Sequence, residues 1–212
     1  MKEYKTKIPV KLGSIDRDSL LHFMMWRNQS SIMKRTRQWK LLTMEDQEIW
    51  YDSIVGAKWP ESIMFTIEAS LVENTTDKTS SFFTHQFKNK DKSEVNLSWQ
   101  GVGVAGLCYI DYIARSAELS IYIGSKSYQR KGIGTATVQL LKEWAFNKMN
   151  LRKIWAEVYD HVEPVHEFVK ANGFKEVGRL PDTVFKDGDY QNSIYYAYYD
   201  TEYMHEKAMG KV

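Results

Sequence analysis

Residues 117–146, AELSIYIGSKSYQRKGIGTATVQLLKEWAF, constrain this chain more than any other stretch. An alternating apolar segment ends at Gly124, and a short connection leads to Gln129-Arg130-Lys131-Gly132-Ile133-Gly134-Thr135. An amphipathic helix is predicted over 132–149. Val138, Leu141, Trp144 and Ala145 recur at helical spacing, and Leu140 widens the stripe. A helix start offers free amides and about half a positive charge, which together suit a phosphate. Gly132 and Gly134 would keep Cβ atoms out of its way, Arg130 and Lys131 add positive charge, and Thr135 offers a hydroxyl. Taken alone, the pattern fits a tightly packed strand-to-helix turn equally well. It is not the dinucleotide fingerprint, because position 137 is Thr, and no Gly-Lys-Ser/Thr follows to make a Walker A loop.

The rest of the chain supplies the layers around this unit. Residues 8–12 read as a strand, and 16–28 as a helix capped by Asp16 with Leu20, Leu21, Phe23, Met24 and Trp26 on one stripe. Thr43 precedes a second helix through Trp50, Ile54 and Val55. Strands are predicted at 62–71, 102–111 and 117–124, with residues 73–98 an extended polar loop or hairpin insertion. Beyond the motif come a strand over 153–159, a short helix over 162–171 stopped by Asn172-Gly173, an extended segment from Phe174 towards Leu180, and a last strand over 191–199. The order is β, two helices, three strands, helix, strand, helix, two strands. That predicts a single α/β (α+β) domain over 1–212, a mixed, mostly antiparallel sheet flanked by about four helices.

Composition excludes several function classes. Lys and Arg number 29 and Asp and Glu 27, a net charge of +2, so no global field attracts nucleic acid. The longest apolar stretch, 101–110, is far short of the ~18 residues of a membrane-spanning helix. The first twelve residues, MKEYKTKIPVKL, lack the apolar core of a secretory signal. Cys108 is the only cysteine and reads as a small buried hydrophobe. The five histidines make no metal-ligand spacing, so no metal is expected. These features point to a cytoplasmic protein.

Gln129-x-x-Gly132-x-Gly134, between a strand and an amphipathic helix, resembles motif A of the GNAT family of N-acetyltransferases. Ala117 to Ile123 resembles the strand before that motif, Leu151 to Val158 the strand after its helix, and Gly173-Phe174 the pair that closes the next helix, with Gly178 following. Gly188-Asp189-Tyr190-Gln191-Asn192 resembles the late turn of the ribosomal-protein acetyltransferase-like branch. The likeness runs over roughly residues 100–200. It implies acetyl-CoA as donor, its pyrophosphate cradled around Gly132, Ile133, Gly134 and Thr135 beside Gln129, Arg130 and Lys131. Its pantetheine arm would pair with Ile121, Tyr122 and Ile123, on a strand splayed from residues 155–159. The reaction it implies is direct attack of a neutral amine on the thioester.

The resemblance makes Glu118 the candidate base, because the family often has a glutamate there; the bland reading is a surface carboxylate. The positions where the family has an Asn and a Tyr are Val162 and Val169, so the usual acid is missing. Tyr159, His161 and His166 could substitute, and Tyr159 is the candidate taken forward. Their ordinary readings are a strand aromatic, a cap and a helix-surface residue. For the acceptor, Trp26-Arg27-Asn28, followed by Lys34, Arg35, Arg37 and Lys40 around Trp39, resembles acetyltransferases acting on 4-amino sugar nucleotides. Trp26, Arg27, Arg35, Arg37 and Trp39 are therefore the candidate substrate-binding residues. A protein or peptide amine and a small amine, antibiotic or polyamine remain alternatives, as does a non-catalytic acyl-CoA-binding protein. The expected state is a monomer or homodimer.

Overall fold

The computed structural model describes residues 8–56, 58–71, 84–85 and 98–210. In chain order the elements begin with β1 (Val10–Gly13), a 3-10 turn (Arg17–Ser19), α1 (Leu20–Arg27), α2 (Ser30–Met33) and α3 (Met44–Ile54). There follow β2 (Ile63–Leu71), β3 (Thr84–His85), β4 (Ser98–Asp111), β5 (Ser116–Ile123), a 3-10 turn (Lys126–Tyr128), α4 (Ile133–Glu143) and a π turn (Trp144–Lys148). The chain continues with β6 (Lys153–Tyr159), α5 (Glu163–Ala171), β7 (Lys175–Lys186), β8 (Asp189–Tyr199) and α6 (Asp200–Ala208). The sheet runs β1-β2-β4-β5-β6-β8-β7, with β3 pairing β4 at its margin. Every pairing is antiparallel except β5 with β6. This is the mixed sheet expected from the sequence.

Alternation sorts the side chains of β6 between two layers. Ile154, Ala156 and Val158 are buried, and Lys153, Trp155 and Glu157 are not fully so. The first set joins Ile133, Val138, Leu141 and Ala145 of the 133–148 helical stretch in the main core. Each Ile, Leu or Val among them contributes about 1.5–3 kcal/mol by leaving water. On the opposite face Leu20 and Phe23 of α1 pack on Val104, with Met64 and Tyr122 alongside.

Local chemistry starts these elements as predicted. Asp16 accepts a hydrogen bond from the Ser19 amide at 2.8 Å, and Thr43 and Asp46 form a reciprocal capping box at α3. The departures have physical causes. α2 is one turn long and too short to show a period. In α6 only Tyr203 is buried, so no apolar stripe announces it. β7 runs on past Leu180 to Lys186, because an exposed edge strand tolerates Pro181, and its register shifts between Leu180 and Val184. β4 starts at Ser98 rather than 102. Most of the 73–98 insertion lies outside the described residues.

The decisive feature for function is where the parallel pair comes apart. β5 and β6 are in register only at Ser116↔Lys153, Ala117↔Ile154 and Glu118↔Trp155. Beyond Glu118, β5 pairs only with β4, and β6 pairs only with β8. Two strands that part company leave unpaired backbone on both inner edges, and such edges take up an added strand. The splay implied by the resemblance is present.

Candidate active site

The fork opens towards the start of α4. Gly132 sits in the left-handed region at φ 80°, a conformation that costs about 1 kcal/mol for a residue with a Cβ. The first intrahelical bond runs from the Ala136 amide to the Gly132 carbonyl at 3.0 Å, leaving the amides of Ile133, Gly134 and Thr135 without intrahelical partners. No acidic residue lies in that first turn, and Arg130 and Lys131 are exposed beside it. The Gln129 side-chain amide donates to the Ile123 carbonyl at 2.8 Å and so ties the turn to the end of β5. These residues fit a pyrophosphate at the helix start with an extended arm along Ile121, Tyr122 and Ile123. A Cβ at Gly134 would lie 3.2 Å from the Phe168 ring, so its lack of a side chain also makes room for α5.

At the other end of the fork stands Glu118, the last residue of β5 paired with β6. Arg37 Nη1 donates to its Oε2 at 2.9 Å and Nη2 to its Oε1 at 3.0 Å, and Nη2 also donates to Glu157 of β6. One guanidinium thus spans both arms of the fork. The carboxylate side chains are 10% and 9% exposed, while that of Arg37 is 43% exposed. The carboxylates are therefore little screened and the cation can reach water. Ser193 Oγ donates to the other oxygen of Glu157 at 2.5 Å, and the Ser193 and Thr183 hydroxyls pair. Burial pushes the Glu118 carboxyl above the ordinary carboxylate range; Arg37 pulls it down and the Glu157 charge pushes it up again. Burial would lower Arg37, but Glu118 and then Glu157 hold it above its ordinary value.

Of the predicted acceptor residues, Arg37 and Trp39 line one cleft, and Trp26, Arg27 and Arg35 do not. The Trp26 indole covers Gly124 so closely that a Cβ there would lie 2.0 Å from the ring, so Trp26 anchors α1 to the end of β5. Arg27 Nε donates to Gln38 Oε1 at 3.0 Å, and Asn28 bonds both the amide and the carbonyl of Leu42. The basic loop is thereby folded by the Trp-Arg-Asn sequence. Of its four cations, Arg37 is held by the two glutamates and Lys40 by Asp46 at 2.7 Å. Lys34 and Arg35 are exposed. Lys34, Arg37 and Lys186 nevertheless line one cleft with Trp39. Trp39, 85% exposed, lines a cleft of about 700 Å³ together with Phe185, Gln38 and Arg37.

The acid candidates are corrected too. His166 is buried rather than on the helix surface: Nε2 donates to the Tyr159 carbonyl at 3.1 Å, leaving Nδ1 to accept from the Tyr196 hydroxyl at 2.9 Å. Val162 and Val169 are core residues. His161 is exposed and stacks on Tyr159. Burial, then the Glu157 charge, pushes the Tyr159 phenol up to about 12. Proton transfer from it to a thiolate of ordinary pKa is uphill by about 4–5 kcal/mol. Glu157 was not singled out from the sequence.

The profile of the acetyltransferase (GNAT) family matches residues 45–174. The chain belongs to the GNAT acetyltransferase family. Spermidine N(1)-acetyltransferase of Escherichia coli strain K12 is 30% identical over 120 residues, 55% of this chain and 64% of that enzyme. The Vibrio cholerae enzyme of the same name is 34% identical over 92 residues, 43% of this chain and 52% of that enzyme. The matched stretch thus spans between about half and two thirds of these curated relatives. YdaF of Bacillus subtilis, whose name assigns it to ribosomal N-acetylation, is 27% identical over 124 residues, 58% of this chain and 67% of that protein. The crystal structure of spermidine N-acetyltransferase from Vibrio cholerae in complex with CoA and spermine superposes with a TM-score of 0.72 at 22% identity, over 92% of this chain and 98% of that one. At that identity the likeness is one of fold. None of these GNAT relatives is named for an amino-sugar nucleotide.

Proposed function

We propose that this chain transfers the acetyl group of acetyl-CoA to a primary amine of a polyamine-like cationic acceptor. The observation that carries the reading is the pair of shielded carboxylates, Glu118 and Glu157, served by the single guanidinium of Arg37 at the fork. These three groups sum to one net negative charge, which favours an ammonium and opposes a nucleoside diphosphate. The names of the two spermidine acetyltransferases point the same way.

The thioester supplies the acetyl group, and the chain's residues prepare the amine. An amine arrives as an ammonium and attacks only after losing a proton. Glu118 is the base: it sits at the fork, its carboxyl raised towards the acceptor's working range by burial. Glu118 takes the ammonium's first proton, directly or through water; the N–C bond then forms as the C–S bond breaks, the sulfur leaves as thiolate, and the nitrogen's second proton passes to water. Glu157 holds the acceptor's cationic charge. The amides at the start of α4 and the charges of Arg130 and Lys131 hold the donor's phosphates. A thiolate of pKa about 8.5 is a tolerable leaving group, so no dedicated acid is required.

The test is acetyl-CoA turnover against spermidine, spermine, a 4-amino sugar nucleotide and a peptide N-terminus. Polyamines are expected to lead in kcat/KM by at least about tenfold, or 1.4 kcal/mol of transition-state stabilisation. A lead for the sugar nucleotide would overturn the reading.

A further inference from the structure

Arg37 belongs to neither strand whose carboxylates it bridges. It projects from the loop between α2 and α3, which is tied at its base by Asn28 to Leu42 and inside by Gln38 Nε2, donating to Asn28 Oδ1 and the Lys40 carbonyl at 3.1 and 2.9 Å. The segment carrying Arg37 is seated from the far side of the sheet by Lys186, at the end of β7. Its ammonium donates to the carbonyls of Met33, Thr36 and Gln38, two of which flank Arg37. The guanidinium therefore reaches the two glutamates from a loop with its own separate anchor. The same loop and the end of β7 wall the cleft of about 700 Å³, whose lining includes Lys34, Arg37, Trp39, Phe185, Lys186 and Asp187.

Two shielded carboxylates at an amine-accepting site need a cation when no acceptor is present, since unpaired buried charges are costly. A guanidinium and an alkylammonium are alternative partners for the same oxygens. We propose that Arg37 is a specificity-determining residue that stands in for the acceptor's cationic amine, held there by Lys186 as a positioning residue and displaced when the acceptor enters through the adjoining cleft. The proposal rests on the reading of the chain as an amine acetyltransferase. Its consequence is selection by charge: a neutral or anionic amine offers the glutamates nothing in exchange for Arg37.

The competition is measurable in two ways. An internal competitor lowers apparent affinity by the fraction of time the site is free, so with a site free about one tenth of the time its removal lowers the acceptor KM by about tenfold. The Arg37→Gln chain is expected to show that fall for spermidine with a smaller change in kcat, and Arg37→Lys to stay near wild type. Without acetyl-CoA, Arg37→Gln is expected to melt below wild type and to be restored, saturably, by millimolar methylguanidinium and by spermidine, whereas wild type responds to each only at about tenfold higher concentration. Should Arg37→Gln not fold, Lys186→Met unseats the loop with both glutamates still paired, and a several-fold fall in spermidine KM is the expected result.

An unchanged or raised KM together with no cation-specific stabilisation would overturn the proposal. So would restoration by methylguanidinium alone, because the site would then take a guanidinium and not an amine. If spermidine restores Arg37→Gln but neither chain acetylates it, the stand-in survives and the acceptor reading falls. If wild type acetylates spermidine while Arg37→Gln shows neither effect, the reverse holds.

Discussion

Arg37 and Glu118 lie 81 positions apart in the chain and meet in a two-pronged ion pair, 2.9 and 3.0 Å long, at the point where β5 and β6 separate. The contact joins the loop between α2 and α3 to the strand that leads into the turn before α4. Among the described residues, Arg37 is the only cation bonded to Glu118.

Glu157→Gln should raise the acceptor KM more than it lowers kcat. Glu157 lies beyond the last β5–β6 pair, and the proposed mechanism has it hold the acceptor's charge without taking its proton. Losing one shielded carboxylate is expected to cost about 1–2 kcal/mol, or roughly tenfold in KM for a polyamine. Steady-state kinetics with spermidine checks this, and an equal fall in kcat with no KM change would place Glu157 in the proton path instead.

Gly132→Ala should weaken the donor site. At φ 80° a Cβ is strained by about 1 kcal/mol, and relaxing it moves the α4 amides. Wild type at ~100 times Kd of acetyl-CoA should gain about 2.7 kcal/mol, or roughly 5–10 °C in Tm. The variant should gain clearly less at the same concentration.

Tyr159→Phe should keep activity within about threefold of wild type. A phenol raised to about 12 is a poor acid for a thiolate that leaves unaided. A hundredfold fall in kcat would restore Tyr159 as the acid.

Lys142 provides a stability test away from the fork. It is 1% exposed, donates to the Asn172 carbonyl at 2.8 Å and lies 3.5 Å from the centre of the Tyr198 ring. Burial lowers its pKa to about 8 from 10.5, partly opposed by Glu206. Between these values the unfolded chain holds a proton that the folded chain has released, so stability rises with pH there. Relative to Lys142→Met, wild type should gain up to about 3 kcal/mol from pH 8 to pH 10.5, read from urea unfolding at each pH. A flat difference would show that Lys142 stays charged.

Local pattern made much of this legible. Alternation located β6 at 153–159, spacing and glycines located the turn into α4, and Asp16 and Thr43 marked the starts of their helices. Glu118 could be singled out because its place depends on its neighbours in the same strand. Glu157 could not, because its partner Arg37 is 120 positions away and nothing in KIWAEVY distinguishes a shielded glutamate from a solvated one. The same reason hides the partners of the basic loop: Lys34, Arg35, Arg37 and Lys40 look alike until the fold brings carboxylates to Arg37 and Lys40. His166 looked like a surface residue because its partner Tyr196 comes from another strand, 30 positions on.

The most direct test is the pH dependence of kcat/KM for spermidine, measured on wild type and on Glu118→Gln. Burial holds the Glu118 carboxyl above the ordinary carboxylate range, so wild type should lose activity on acidification along a limb lying above about pH 4.5. Glu118→Gln should fall by about 10²–10³ and lose that limb. A Glu118→Gln chain with full activity and an unchanged limb would contradict the account, leaving the Arg37–Glu118 pair a structural contact alone.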